Sequence, residues 1–74
     1  MPNKRLMLQL KPEATDALKE IPETVENSGG RVLPAPLIFP PLIHFSASEA
    51  VATEIKNKYV DNILRIMVEE SEED

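Results

Sequence analysis

The sequence predicts an α+β domain in which a four-stranded antiparallel sheet carries two helices on one of its faces. Apolar and polar residues alternate near both ends of the chain, which is typical of strands with one buried face. Two segments between those ends show apolar residues at helical spacing. The stretch between the two helical segments, GGRVLPAPLIFPPLIHFSAS at residues 29–48, is apolar but too rich in proline for a helix.

The first strand is predicted where apolar and polar residues alternate in RLMLQLK, residues 5–11. Successive side chains of a strand point to opposite faces. One face of this strand would therefore be apolar and would face the core. The core-facing residues are Leu6, Leu8 and Leu10.

The first helix is predicted to begin at Pro12, because proline suits a first helical turn. Pro22 conflicts with a helix interior, where it removes a hydrogen bond and clashes with the preceding turn. We therefore expect a kink near Ile21, or a break followed by one more turn. Gly29 and Gly30 are expected to end the helix. The predicted buried face carries Ala14, Ala17, Leu18, Ile21 and Val25.

The proline-rich stretch is predicted to form a hairpin. Residues 31–39 would be an irregular strand, Pro40 and Pro41 its turn, and residues 42–46 the next strand. Because Pro34 and Pro36 cannot donate to a ladder of hydrogen bonds, the first arm is expected at a sheet edge.

The second helix is predicted to begin at a capping box of Ser46 and Glu49. A short last strand follows in RIMVEE, with Ile66 and Val68 facing the helices. The order strand, helix, strand, strand, helix, strand is the ferredoxin-like split β-α-β pattern. Residues 1–70 are therefore predicted to be one domain, and residues 71–74 an acidic C-terminal tail. The buried stripe of the second helix would be Val51, Ile55, Tyr59 and Ile63, with Ala52 beside it.

The composition indicates a small domain that relies on its own core or on a partner. The 74-residue chain has no cysteine and a net charge of −5, which excludes disulfides and argues against nucleic acid as a partner. The longest apolar run, residues 35–43, is too short to cross a membrane, and no signal peptide is recognisable. A cytoplasmic location is expected for the chain as given, with secretion after removal of a leader as the alternative.

The sequence offers no catalytic, cofactor-binding or metal-binding constellation. His44 is the single histidine, so neither a catalytic triad nor a histidine–cysteine metal cage can be assembled around it. Gly29 and Gly30 belong to no phosphate-binding pattern. Consecutive carboxylates at the end of the chain lack the fixed cage that a cation needs. We therefore expect a protein that is not an enzyme and needs neither cofactor nor metal.

The sheet face that points away from the helices is the predicted contact surface. Methionine and leucine side chains on such a face suit an adaptable contact with a protein, and a small domain without disulfides gains stability from a partner. The alternative is self-dimerisation through the same face. The residues predicted to lie there are Met7, Gln9, Leu42, His44 and Met67.

Three stretches carry a family resemblance: KRLMLQLK in the first strand, SGGRV after the first helix, and VEESEED at the end. On these stretches, and with a resemblance that spans nearly the whole chain, the sequence resembles the subtilisin propeptide-like protease inhibitors. That family comprises prodomains of subtilisin-type serine proteases and small free-standing inhibitors. The resemblance implies the split β-α-β fold and a role as an inhibitor or folding assistant of a subtilisin-like serine protease.

The resemblance also implies a way of docking. The open sheet face would pack on two parallel surface helices of the protease, and carboxylates of the last stretch would cap their N-termini, which attract negative charge. Glu69, Glu70 and Glu72 would take that role. The tail, which ends at Asp74, would then lie in the active-site cleft.

Three features depart from the family pattern: the prolines of the hairpin, Pro22 in the first helix, and a short tail that is acidic throughout. An acidic tail fits an apolar specificity pocket badly, because burying unpaired carboxylates is costly. Docking without inhibition is therefore an open outcome. The alternative function is a small scaffold or regulatory domain that uses the same face for another protein or for its own dimer.

Overall fold

The computed structural model describes residues 3–71, which form one antiparallel sheet and two helices. The strands follow one another across the sheet in the order β2-β3-β1-β4. This arrangement confirms the predicted α+β fold class and the split β-α-β order. The elements are β1 (Asn3–Leu10), α1 (Thr15–Asn27), β2 (Arg31–Leu33), β3 (Leu42–Ser48), α2 (Glu49–Lys58), a 3₁₀ turn (Val60–Asn62) and β4 (Ile63–Ser71).

The core lies between the two helices and one face of the sheet. Leu6, Leu8 and Leu10 of β1 are fully buried, as the alternation in this strand predicts. Burial of each such side chain contributes about 1.5–3 kcal/mol relative to full exposure. The other core residues are Ile43, Phe45 and Ala47 of β3, together with Ala14, Ala17, Ile21, Val25, Ala52, Ile55 and Tyr59 from the helical segments.

Helix α1 differs from the prediction at its beginning and in its middle. It begins at Thr15, because Pro12 and Glu13 lie in a turn in which the Ala14 N–H donates to the Lys11 carbonyl. The helix then continues through Pro22 to Asn27, so the expected break does not occur. Ile21 and Val25 on either side of the proline are fully buried, and this packing offsets the hydrogen bond that proline removes.

The end of α1 follows the prediction closely. The Gly29 N–H donates to the Glu26 carbonyl at 3.1 Å, and the Gly30 N–H donates to the Val25 carbonyl at 2.8 Å. With φ of 86° at Gly29, this is a Schellman motif, in which a left-handed residue satisfies the last helical carbonyls.

The proline-rich stretch forms less strand than predicted. Strand β2 covers only Arg31–Leu33 and lies at a sheet edge, as expected. Residues 34–41 form a loop without regular structure, so the prediction of a strand up to residue 39 is wrong. Four prolines in eight residues remove the donors that a longer ladder with β3 would require.

The cap of α2 is Ser48 rather than the predicted Ser46. The Ser48 hydroxyl accepts a hydrogen bond from the Val51 N–H at 3.3 Å. Strand β3 continues to Ser48 because Asn3 of β1 pairs with that residue, so Ser46 lies inside the strand. Ile63, which was predicted on the stripe of α2, is the first residue of β4 and packs against the core.

Strand β4 carries two extra residues relative to β1. Ile66 pairs with Leu8 but Val68 pairs with Met7, so Met67 is an extra residue between them. A second shift leaves Leu64 extra in the same way. A bulge of this kind exchanges the faces of all later side chains.

Val68 therefore lies opposite Met7 on the open face, and the prediction that it faces the helices is wrong. Ile66 does pair with the core residue Leu8, but it remains exposed on the edge strand. Strand β4 ends at Ser71, the first residue of the predicted tail. Within residues 3–71, no helix combines the length and apolar character needed to cross a membrane.

Candidate functional site

Three cross-strand rows on the open face run from β3 through β1 to β4, since residues paired across antiparallel strands share a face. We name the rows by their chemistry. The charged row is Arg31, Ser46, Arg5 and Glu70; the apolar row is Leu33, His44, Met7 and Val68; the polar row is Leu42, Gln9 and Arg65.

The charged row contains an ion pair between its members from β1 and β4. Arg5 Nη2 lies 2.8 Å from Glu70 Oε2, and the two side chains are 44% and 58% exposed. An ion pair this exposed contributes little to stability, about 0–1 kcal/mol. The Glu70 carboxylate is therefore close to solvent and accessible to a partner.

The apolar row is half-buried and includes the single histidine. His44 Nδ1 lies 3.0 Å from the carbonyl oxygen of Pro34. Because a carbonyl only accepts, this contact requires the proton on Nδ1. His44 thus ties the beginning of the 34–41 loop to the sheet.

The polar row is held by hydrogen bonds. The Gln9 side-chain amide donates to the carbonyl of Pro40 at 3.1 Å, and its side-chain oxygen accepts from Arg65 Nε at 3.0 Å. Gln9 is only 6% exposed. It therefore supports the face from within and offers a partner little surface.

Four of the five residues predicted for the open face do lie together on it: Met7, Gln9, Leu42 and His44. Met67 is not a member of a row, because it is the extra residue of a bulge on the outer strand. Met67 is 42% exposed at the sheet edge. Val68 occupies the position opposite Met7 that regular alternation would give to Met67.

The carboxylates at the end of the chain are divided between the two faces. Glu69 pairs with Leu6 on the helix side of the sheet. Its Oε1 lies 2.6 Å from Lys56 Nζ of α2 and 3.3 Å from Lys4 Nζ of β1. Hydrogen bonds from Lys56 and then from Lys4 lower the pKa of the Glu69 carboxyl below its usual value.

Glu70, in contrast, shares the open face with Arg5. The two remaining candidate carboxylates, Glu72 and Asp74, lie outside the described residues.

The 34–41 loop is an apolar surface that sequence reasoning did not identify. Leu37 is fully exposed, Phe39 is 76% exposed and Ile38 is 50% exposed. These residues were predicted to belong to a strand. The prolines on both sides of the three residues were the signal that a protruding loop was the better interpretation.

Both ends of this loop are fixed. In addition to the contacts of His44 and Gln9, the Leu10 N–H donates to the Pro41 carbonyl at 2.9 Å. The loop therefore lies at the end of β1 near Leu10. Glu70 pairs with Arg5 at the other end of the same strand, so the loop and the exposed carboxylate flank the open face from opposite ends.

Within residues 3–71, no three histidine, aspartate or glutamate side chains are grouped so that they could hold a metal ion, and no ligand-sized cavity is found. No protein-family model, curated protein sequence or solved structure matches the chain.

Proposed function

We propose that this chain is a protein-binding domain that resembles the propeptide-like inhibitors and docks a subtilisin-like serine protease through its open sheet face. The observation that carries the proposal is the composition of that face. An apolar row of Leu33, His44, Met7 and Val68 lies beside an exposed carboxylate, Glu70, at the end of the last strand. The resemblance to the propeptide-like inhibitors implies that carboxylates of the last stretch of the chain contact the protease.

The apolar row supplies the contact area. Its members are half-buried against the sheet. A partner that covers them would remove their remaining apolar surface from water, which favours binding by about 25 cal/mol per Å² of apolar surface buried. Methionine adapts its shape to a partner more readily than branched residues do. In this proposal, the two surface helices of the protease pack across β1 and β4.

Glu70 is the carboxylate that this proposal assigns to a helix N-terminus of the protease. It lies on the open face, and its side chain is more than half exposed. Glu69 lies on the other side of the sheet between Lys4 and Lys56, and so it cannot serve the same surface without leaving both lysines. A carboxylate at a helix N-terminus contributes about 0.3–2 kcal/mol.

The test separates binding from inhibition, because the acidic tail is poorly suited to an apolar specificity pocket. Binding would be measured by calorimetry with a subtilisin whose nucleophile has been removed. Inhibition would be measured with the active enzyme and a chromogenic peptide, with gels to verify that the chain stays intact. We expect saturable binding that weakens as salt is added, because exposed charges are screened.

Glu69→Gln is the matched control for Glu70→Gln, since the two neighbours lie on opposite faces. Glu70→Gln should weaken binding about tenfold, which corresponds to about 1.4 kcal/mol. Glu69→Gln should leave the dissociation constant within about twofold. Equal effects of both variants, or no binding to any subtilisin tested, would rule out this docking mode.

The alternative use of the face is self-association, favoured by the same apolar row. Met7→Lys would place a charge in the centre of the row. If sedimentation equilibrium shows a dimer that Met7→Lys dissociates, the face serves a second copy, and the protease proposal loses its surface.

A further inference from the structure

The centre of the charged row contains a polar group that the fold leaves unsatisfied. Ser46 is fully buried, and its hydroxyl has no hydrogen-bond partner among the described residues. A buried hydroxyl without a partner costs about 1–3 kcal/mol. Such groups are uncommon in native proteins and call for a specific explanation.

The cross-strand neighbours of this hydroxyl are both arginines. Arg31 of β2 and Arg5 of β1 pair with Ser46 from its two sides, so the Cβ atoms of each pair are about 5 Å apart on one face. Two arginines thus flank one hydroxyl in a single row of the open face, in a chain whose net charge is −5.

The two arginines of this row differ in their ion pairs within residues 3–71. Arg5 forms an ion pair with Glu70. Arg31 is exposed, and no carboxylate in residues 3–71 forms an ion pair with it. Arg31 therefore brings to this row a positive charge that no carboxylate of residues 3–71 pairs with, at the position that pairs with Ser46.

We propose that Arg31, Ser46 and Arg5 form a binding site for an oxyanion, a carboxylate or a phosphoryl group. The planar guanidinium of Arg31 presents paired N–H donors that match two oxygens of such a group. The Ser46 hydroxyl donates to one of these oxygens, which satisfies the hydroxyl. Arg5 adds its positive charge while its five N–H donors allow it to hold Glu70 as well.

Access to Ser46 requires movement of a neighbouring side chain, because the hydroxyl is covered in the free protein. Arg31 is exposed on an edge strand, and exposed side chains change rotamer within picoseconds to nanoseconds. The bound anion then takes the place of the side chain that had shielded the Ser46 hydroxyl. This site does not depend on the proposed protease partner, since a small anion alone reports it.

The experiment is a titration of the ¹⁵N-labelled chain, followed by amide chemical shifts at constant ionic strength. Inorganic phosphate and a short glutamate-containing peptide, blocked at both ends, are the two probes, and they distinguish a phosphoryl from a carboxylate ligand. We expect saturable shifts at the amides of residues 5, 31 and 46 with at least one probe.

Arg31→Gln should weaken this binding about tenfold or more, as loss of a charge-assisted hydrogen bond does. Arg65→Gln is the matched control, because Arg65 lies on the same face in the polar row; it should change the affinity by less than about twofold. Ser46→Ala should weaken binding several-fold while raising Tm, because it removes an unsatisfied buried hydroxyl.

Each contrary result identifies a different error. Shifts spread over all lysines and arginines and unaffected by Arg31→Gln would mean an adventitious ion only. A Ser46→Ala variant that gains stability and binds both probes as well as the parent chain would make Ser46 a purely structural residue. Absence of saturable shifts with both probes would exclude the site.

Discussion

Gly29 and Gly30 are adjacent, but the structure gives them different roles, and replacing each by alanine separates those roles. Gly29 has φ of 86°, and a Cβ added there would contact nothing within 4 Å. Gly30 has an ordinary φ, but a Cβ there would lie 2.5 Å from the Ser46 backbone oxygen and 3.0 Å from Val25 Cγ1. The first position is limited by conformation and the second by space.

The two costs can be worked out from these values. For Gly29→Ala, the left-handed conformation costs about 1–2 kcal/mol, and the stiffer unfolded chain returns about 0.4–1 kcal/mol. The expected net loss is about 1 kcal/mol. For Gly30→Ala, the neighbour is backbone and cannot rotate away, so β3 or the end of α1 must shift. Overpacking of this kind costs about 1–3 kcal/mol or more, and we expect about 3 kcal/mol.

Thermal and urea unfolding, followed by far-ultraviolet circular dichroism, measures both variants. A loss of 1 kcal/mol lowers the Tm of a domain this size by about 4–8 °C. Gly29→Ala should therefore lower Tm by about that amount, and Gly30→Ala by roughly three times as much. Gly29→Asn should recover part of the loss, because asparagine tolerates the left-handed region, whereas Gly30→Asn should not. If Gly30→Ala is no more damaging than Gly29→Ala, the close approach of Gly30 to β3 is wrong.

Three further substitutions test other parts of the fold by urea unfolding. Tyr59→Phe removes the hydrogen bond that the Tyr59 hydroxyl donates to Glu20 at 3.0 Å between the helices, and should cost about 1 kcal/mol. Pro22→Ala should stabilise α1 by about 2 kcal/mol, because the gain in helix propensity exceeds the loss of a rigid unfolded chain; a destabilised variant would contradict this. Glu69→Gln should cost about 0.5 kcal/mol at neutral pH. Since hydrogen bonds from Lys56 and Lys4 lower the Glu69 pKa, that contribution is present above the unfolded-state pKa and is lost as the pH falls through the folded-state pKa; a difference that grows in acid would contradict it.

The parts of the fold that sequence could predict are those governed by local chemistry. The alternation around Leu6, Leu8 and Leu10 identifies both the strand and its buried face, because the period of a strand is two residues. The adjacent glycines identify the end of α1, because few other residues adopt the left-handed conformation that a Schellman motif needs. These signals depend on a few neighbouring residues and hold wherever the segment lies in the fold.

The parts that sequence missed depend on pairing with a distant strand. Ser46 and Ser48 are equally good caps by residue type, and pairing of Ser48 with Asn3 decides between them. The length of β2 is likewise limited by pairing, because the prolines that follow it have no N–H groups to donate hydrogen bonds to β3. The residue types show that the two serines could cap a helix and that β2 could be a strand. They do not show how far the partner strand extends, and this decides both.

The bulge at Met67 has the largest consequence for function. In a regular strand that starts with Ile66 on the helix side, Glu69 would lie on the open face and Glu70 among the helices. One extra residue reverses this: Glu70 reaches the open face beside Arg5, and Glu69 is held by Lys56 and Lys4. The sequence RIMVEE is compatible with both arrangements. The position of the bulge depends on how β4 pairs with β1, and not on the residues of β4 alone. The surface charge that a partner meets is therefore decided by the register of one strand, and adjacent glutamates of identical chemistry take opposite roles.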